Sequence, residues 1–227
     1  MDSSTATAAA PHYLSLRGNW QATANASGAK LEDVVVTVLA GFLQERYPGE
    51  YEVKAHPPDL DQFYLEEARR RNPDRFVKPA TPTPAEGAIW YDDTLATFVK
   101  LQGGRVSRAK MGCIPDARIL HKASGRIYFL ECKHQGNAGN AQERAAKYAT
   151  PSILDGIKRR LGVSYHPIGF VFSGDMVCDP KYIYEIEATF AFAMDHLLLW
   201  HPTRPVDALC TWVDTTVVPL LCATAPS

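Results

Sequence analysis

Two β-rich segments joined by a four-residue polar turn, between positions 115 and 134, constrain this chain more than any other stretch. Pro115 and Asp116 open the first segment and Lys122 to Gly125 make the turn. Arg126 to Leu130 then carry an apolar run into Glu131, Cys132 and Lys133. Side chains alternate along a strand, so Glu131 and Lys133 share one face, and the turn folds Asp116 back beside them. Two carboxylates and an amine at a sheet end suit Mg²⁺, which takes hard oxygen ligands and keeps water and phosphate oxygens as the remainder. The expected ligands are Asp116 and Glu131, with the Cys132 backbone carbonyl as a further one. Lys133 is expected to orient or deprotonate the attacking water and to offset charge on the phosphorus. A solvated cross-strand pair would give the same letters. Against it stands the buried-looking run from Ile127 to Leu130, where desolvation penalises charges that serve no function.

The next residues read KHQG at 133–136 and GNAQER at 139–144. Asn140 followed three positions later by Glu143 matches a helix-capping pattern, and an Asn cap is worth ~1 kcal/mol without any ligand. Asn140, Arg144, Lys147 and Tyr148 also recur at the spacing of one helical face, among the small Ala141, Ala145 and Ala146. Asn can bind adenine bidentately in a major groove, a pairing worth ~1–3 kcal/mol of discrimination. Capping and base reading can coexist at one helix N-terminus.

KHQG and GNAQER together resemble the EcoRI and MunI group of type II restriction endonucleases, within the PD-(D/E)xK superfamily. More loosely, HPIGFVFSGD at 166–175 resembles an apolar core strand of that group. The resemblance covers roughly sixty residues. It implies an α/β fold with a central mixed β-sheet flanked by helices, and Asp116, Glu131 and Lys133 as the catalytic and metal site. It further implies Asn140, Glu143 and Arg144 as readers of an inner AATT, and Glu32 of the first helix as a possible extra metal ligand. Glu32 equally fits an acid placed favourably in the first turn of a helix. The implied protein is a homodimer that cuts both strands of a short palindrome with Mg²⁺ and leaves 5′-phosphates, two identical subunits meeting two identical half-sites. A structure-specific repair nuclease or junction resolvase would use the same core. A DNA-binding module with a vestigial site would keep the helix alone.

The net charge of −1 argues against a protein that coats nucleic acid indiscriminately. Residues 100–160 nevertheless hold thirteen Lys or Arg against four acids, a balance of +9 that leaves −10 for the rest. Both motifs lie in the basic third, whose sign would attract a phosphate backbone. Five scattered cysteines without a C-x-x-C pair suggest reduced thiols in a cytoplasmic protein rather than a zinc site. No signal peptide or transmembrane run is apparent.

Residues 1–12 are expected to be a disordered tail, and residues 13–227 one nuclease domain. Apolar spacing predicts a helix over 29–47, a strand at 51–55 and a second helix from Asp59 to Arg71. After a Pro-rich connector at 78–85, a strand at 95–101 is expected to complete the sheet edge before Asp116. Asp92 and Asp93 are rival acids, but no lysine follows them at strand spacing. Thr150-Pro151 should start a helix closed by Gly162, and His166 to Phe172 should form a core strand. Asp179-Pro180 should start the longest helix, running to about Trp200. His134 should point away from Lys133, and His121 and His196 read as structural.

Overall fold

Seven apolar side chains, Leu31, Val34, Val35, Val38, Leu39, Phe42 and Leu43, are all buried along one side of helix α1 (Leu31–Arg46), as their spacing requires. The computed structural model describes residues 31–80, 84–110, 113–134, 145–200 and 206–223, so the expected tail at 1–12 lies outside it. After α1 come strand β1 (Tyr51–Ala55), helix α2 (Phe63–Arg71) and strands β2 (Ile89–Asp92), β3 (Thr97–Gln102), β4 (Arg105–Arg108), β5 (Ala117–His121) and β6 (Ile127–His134). Helix α3 (Pro151–Leu161), strand β7 (Ile168–Ser173), helix α4 (Pro180–Thr189), strand β8 (Leu197–Leu199) and helices α5 (Val206–Trp212) and α6 (Val218–Cys222) follow. The contacts divide the chain into two compact units, one formed by residues 57–114 and the other by the rest.

The larger unit holds a five-stranded sheet in the order β1-β5-β6-β7-β8. β5 pairs antiparallel with both β1 and β6, and a tight turn connects it to β6. β7 runs parallel to β6, and β8 parallel to β7. Parallel neighbours need a crossover, and α3 and α4 lie in the two connections. All six residues of β7 are buried, the mark of a strand covered on both faces. On one face Tyr128, Leu130 and Cys132 of β6 pack in a core with α1 and the C-terminal helices. On the other, Phe170 and Phe172 meet Phe190 at ring separations of 4.5 and 5.4 Å.

The smaller unit is a three-stranded antiparallel sheet, β2-β3-β4, with α2. The buried Gln62 ties them together: its amide nitrogen donates to the Phe98 and Ala109 carbonyls, while its oxygen accepts from the Phe98 N–H and the Thr97 hydroxyl. Strand β3 therefore does not complete the sheet edge before Asp116, as its sequence position suggested. That place is taken by β1, whose Ala55 pairs with Ala117 and Tyr51 with His121.

Two further expectations need correction. The stretch from Asp59 to Arg71 is a short 3₁₀ turn at Pro58–Leu60 and then α2. The helix that starts at Pro180 ends at Thr189 rather than near Trp200. Phe190 drops into the core, Ala193 is non-helical, and Leu197–Leu199 pair with Phe170–Phe172 as a strand. The pattern of Ile183, Ile186, Phe190, Met194 and Leu197 looked helical throughout, but three consecutive leucines bury more by joining the sheet than by continuing the helix. Thr150 precedes Pro151 as expected, yet its hydroxyl bonds back to the Ala146 carbonyl at 3.3 Å and makes no side-chain cap. The stretch after Trp200, unreadable from sequence, supplies buried Val206, Leu209, Val213, Val217 and Leu221 to the main core. No described helix is long and apolar enough to cross a membrane.

Gly169 on β7 is a steric requirement. A Cβ there would stand 2.7 Å from both the Trp212 ring and the Tyr128 hydroxyl. Gly169→Ala should therefore destabilise the protein by about 1–3 kcal/mol through overpacking, read as a lower midpoint in urea unfolding with an unchanged slope.

Candidate active site

Asp116 stands one residue before β5, and its backbone is fixed there because its carbonyl accepts the His56 N–H at 2.9 Å. Extending the β5–β6 register beyond Ala117 and Leu130 sets Asp116 opposite Glu131. The Cys132 N–H donates to Asp116 Oδ2 at 2.7 Å. Lys133 Nζ lies 3.3 Å from the same oxygen and 2.6 Å from Glu131 Oε1, and donates to the Cys132 carbonyl at 2.9 Å. An ammonium has three donors, and here each has an oxygen acceptor. The hairpin thus brings together all three residues expected from the spacing, and the Cys132 carbonyl with them.

The cluster is largely withdrawn from water. The side chains of Asp116, Lys133 and Glu131 are 18%, 15% and 5% exposed. Burial, and then the Asp116 charge, push the Glu131 carboxyl up to about 7; Lys133 and, last, Lys147 pull the other way. Burial alone would lower Lys133, but Glu131 and Asp116 outweigh it and hold the ammonium above its ordinary range. The Cys132 thiol, on the opposite face of β6, is pushed well up by burial and then by the two acids. Glu131 Oε2 is buried and has no hydrogen-bond partner among the described residues. A buried carboxylate oxygen without a partner among the described residues calls for a further ligand. Oxygen donors from two acids and a carbonyl are the set that a hard divalent cation prefers, so the residues fit such an ion.

The other expected residues fall out as follows. Glu32 is in the first turn of α1 and takes no part in the hydrogen-bonded cluster, although its charge is felt weakly at Cys132. Asn140, Glu143 and Arg144 lie outside the described residues. Lys147 is exposed, with Nζ 4.5 Å from the centre of the Tyr148 ring, and its charge reaches Glu131. Tyr148 is fully buried, so its ring faces the core and not a surface. Residues 147–149 form a 3₁₀ turn, which breaks the helical face assumed for both residues. The rival acids have other work: Asp92 accepts the Thr94 and Leu95 N–H groups, and Asp93 lies 3.8 Å from Arg69. His134 is exposed at the end of β6, and His196 accepts or donates at 2.7 Å to the Tyr128 hydroxyl. The part played by His56 was missed, because its backbone N–H leaves no trace in the side-chain pattern.

A protein-family model described as type II restriction enzyme MunI matches residues 91–222. The chain belongs to that family. The type II restriction enzyme MunI of Mycoplasma sp is 29% identical over 117 residues, a stretch covering 46% of this chain and 58% of that relative. The chain therefore spans less than two thirds of the curated relative that it matches. A crystal structure of MunI restriction endonuclease in complex with cognate DNA superposes with a TM-score of 0.58 at 21% identity, over 90% of this chain and 96% of that one. The shared fold is the central mixed sheet flanked by helices. Asp116, Glu131 and Lys133 lie inside the part that matches the MunI family, whereas Glu32 and β1 lie outside it.

The raised carboxyl sets a pH dependence. A folded-state value above the unfolded 4.5 means that Glu131 is better tolerated protonated, so stability is withdrawn as pH rises from about 4.5 to about 7. Lys133 stays charged throughout that window and adds no slope. In metal-free buffer, Glu131→Gln should lose less stability than the native chain between those pH values; parallel curves in urea titrations would refute the burial of an ionisable Glu131.

Proposed function

We propose that the chain is a type II restriction endonuclease that hydrolyses both strands of a short palindromic DNA site with Mg²⁺ and leaves 5′-phosphates. The observation that carries this reading is the convergence of Asp116 and Glu131 on Lys133, with the second Glu131 oxygen buried and without a partner among the described residues. Membership of the MunI family supports it, as does the likeness in fold to a MunI endonuclease bound to cognate DNA.

Asp116, Glu131 and the Cys132 carbonyl would hold the cation, with Glu32 a further acid from α1. When bound, Mg²⁺ supplies the positive charge that polarises the scissile phosphate and acidifies water. Glu131 must give up the proton that it retains near neutral pH before it can serve as a ligand, so loading is favoured as pH rises. Lys133 acts as a charged donor: an ammonium held above its ordinary range orients the attacking water and offsets charge on the phosphorus, and it is poorly suited to removing a proton. The water oxygen bonds to phosphorus and releases a proton to solvent as the bond to the 3′ oxygen breaks. The 3′ oxygen takes a proton and the phosphate stays on the 5′ end.

Asn140, Glu143 and Arg144 are the proposed base readers, for an inner AATT, and exposed Lys147 a phosphate contact beside the acids. A palindromic target requires a homodimer that presents this segment twice. The reaction belongs in the cytoplasm, where foreign DNA is met.

Digestion of a plasmid of known sequence with Mg²⁺, followed by sequencing of the ends, should yield discrete fragments with 5′-phosphates at one recurring site; cleavage set by DNA junctions instead would overturn the reading. Asp116→Ala and Lys133→Ala should each lower the cleavage rate by at least about 100-fold while specific binding persists. Arg144→Ala should weaken binding to the cognate site by about 1–3 kcal/mol and to random duplex far less. Equal losses on both duplexes would reduce Arg144 to a phosphate contact.

A further inference from the structure

A second site, this one cationic, lies at the other end of β6. The β5–β6 turn and the C-terminal end of α3 enclose a cleft of about 660 Å³, lined by Arg126, Lys158, Arg159, Ser164 and Tyr165 with apolar Ile127 and Val163. Six residues of strand separate Ile127 from Lys133, roughly 20 Å at ~3.3 Å per residue, so this cleft is distinct from the acid cluster.

Several features make it more than a solvated basic face. Among the described residues the lining carries three cations and no carboxylate. The C-terminus of α3 does not need these side chains, because the Lys158 carbonyl accepts the Val163 N–H and the Arg159 carbonyl accepts the Gly162 N–H, with Gly162 left-handed. The Lys158 residue is half-buried yet its side chain has no ion pair or hydrogen bond among the described residues, and its charge is felt at His166 and His196. Arg126 is held in place by one bond to the Leu220 carbonyl at 2.8 Å and lies 5.6 Å from the centre of the Tyr165 ring, so most of its five donors remain for a ligand. Tyr165 is fixed in turn by its hydroxyl, which donates to the Ile127 carbonyl at 2.7 Å.

We infer that this cleft binds a nucleotide phosphate, with Lys158 and Arg126 on the phosphate oxygens and the Tyr165 ring beside the sugar or base. Cations without acids select an anion; a planar arginine and an aromatic ring beside an apolar wall select one that carries a flat, partly apolar group. The volume lies within the range of small-ligand pockets. The site does not depend on the nuclease reading, since none of its residues belongs to the acid cluster.

Isothermal titration of the full chain with deoxyadenosine monophosphate, in metal-free buffer, tests it. Saturable binding is expected, weakening with added salt, reduced at least about tenfold by Lys158→Glu and by Ser164→Glu, largely kept by Lys158→Arg, and unaltered by Asp116→Ala. Circular dichroism and urea unfolding of each variant separate loss of binding from loss of fold. Displacement of the monophosphate by a short single-stranded oligonucleotide would identify the occupant as part of a nucleic-acid strand; its failure to displace would identify a free nucleotide, and either supports the site. Absence of saturable binding, or binding indifferent to both glutamate substitutions in folded protein, overturns it.

Discussion

The position of the Lys133 ammonium between two acids and a backbone carbonyl governs the rest of the larger unit. Glu131 sits 4% exposed at the end of a strand whose preceding residues are core, and an uncompensated charge in that place would be costly. The amine offsets part of that cost and the Glu131 proton offsets another part. What is left is an oxygen without a partner, a local frustration that a stability-optimised hairpin would have no reason to retain. Structure and chemistry meet at this one atom.

The fold supplies the rigidity that such a cluster needs. β6 is flanked by β5 on one side and β7 on the other: β7 pairs directly with Glu131 and Lys133 through Phe170 and Phe172, and β5 pairs with the residues before them, up to Leu130. Asp116 lies just outside a strand, where freedom would otherwise be greatest, and is restrained by the His56 and Cys132 amides. Helix α1 and the C-terminal helices close the opposite face around Cys132.

What the sequence revealed follows from range. The hairpin was legible because its turn, its alternation and its acids are neighbours along the chain, and α1 because seven apolar residues kept one period. Partnerships between distant segments were not legible. Nothing in Tyr51–Ala55 says that it pairs with β5, and nothing in Thr97–Gln102 says that it belongs to a separate sheet. Leu197–Leu199 misled because their burial depends on β7, some twenty-five residues away, and overrides a helical pattern. Tyr148 misled for the related reason that a face assigned by periodicity is lost once the helix tightens into a 3₁₀ turn.

The β5–β6 connection has one more consequence. Strands joined across so few residues close at little entropic cost, whereas β6 and β7 must wait for a whole crossover to be laid down between them. The acids and the amine are therefore brought together by short-range contacts alone, and their grouping does not depend on the crossover that sets β7 beside β6.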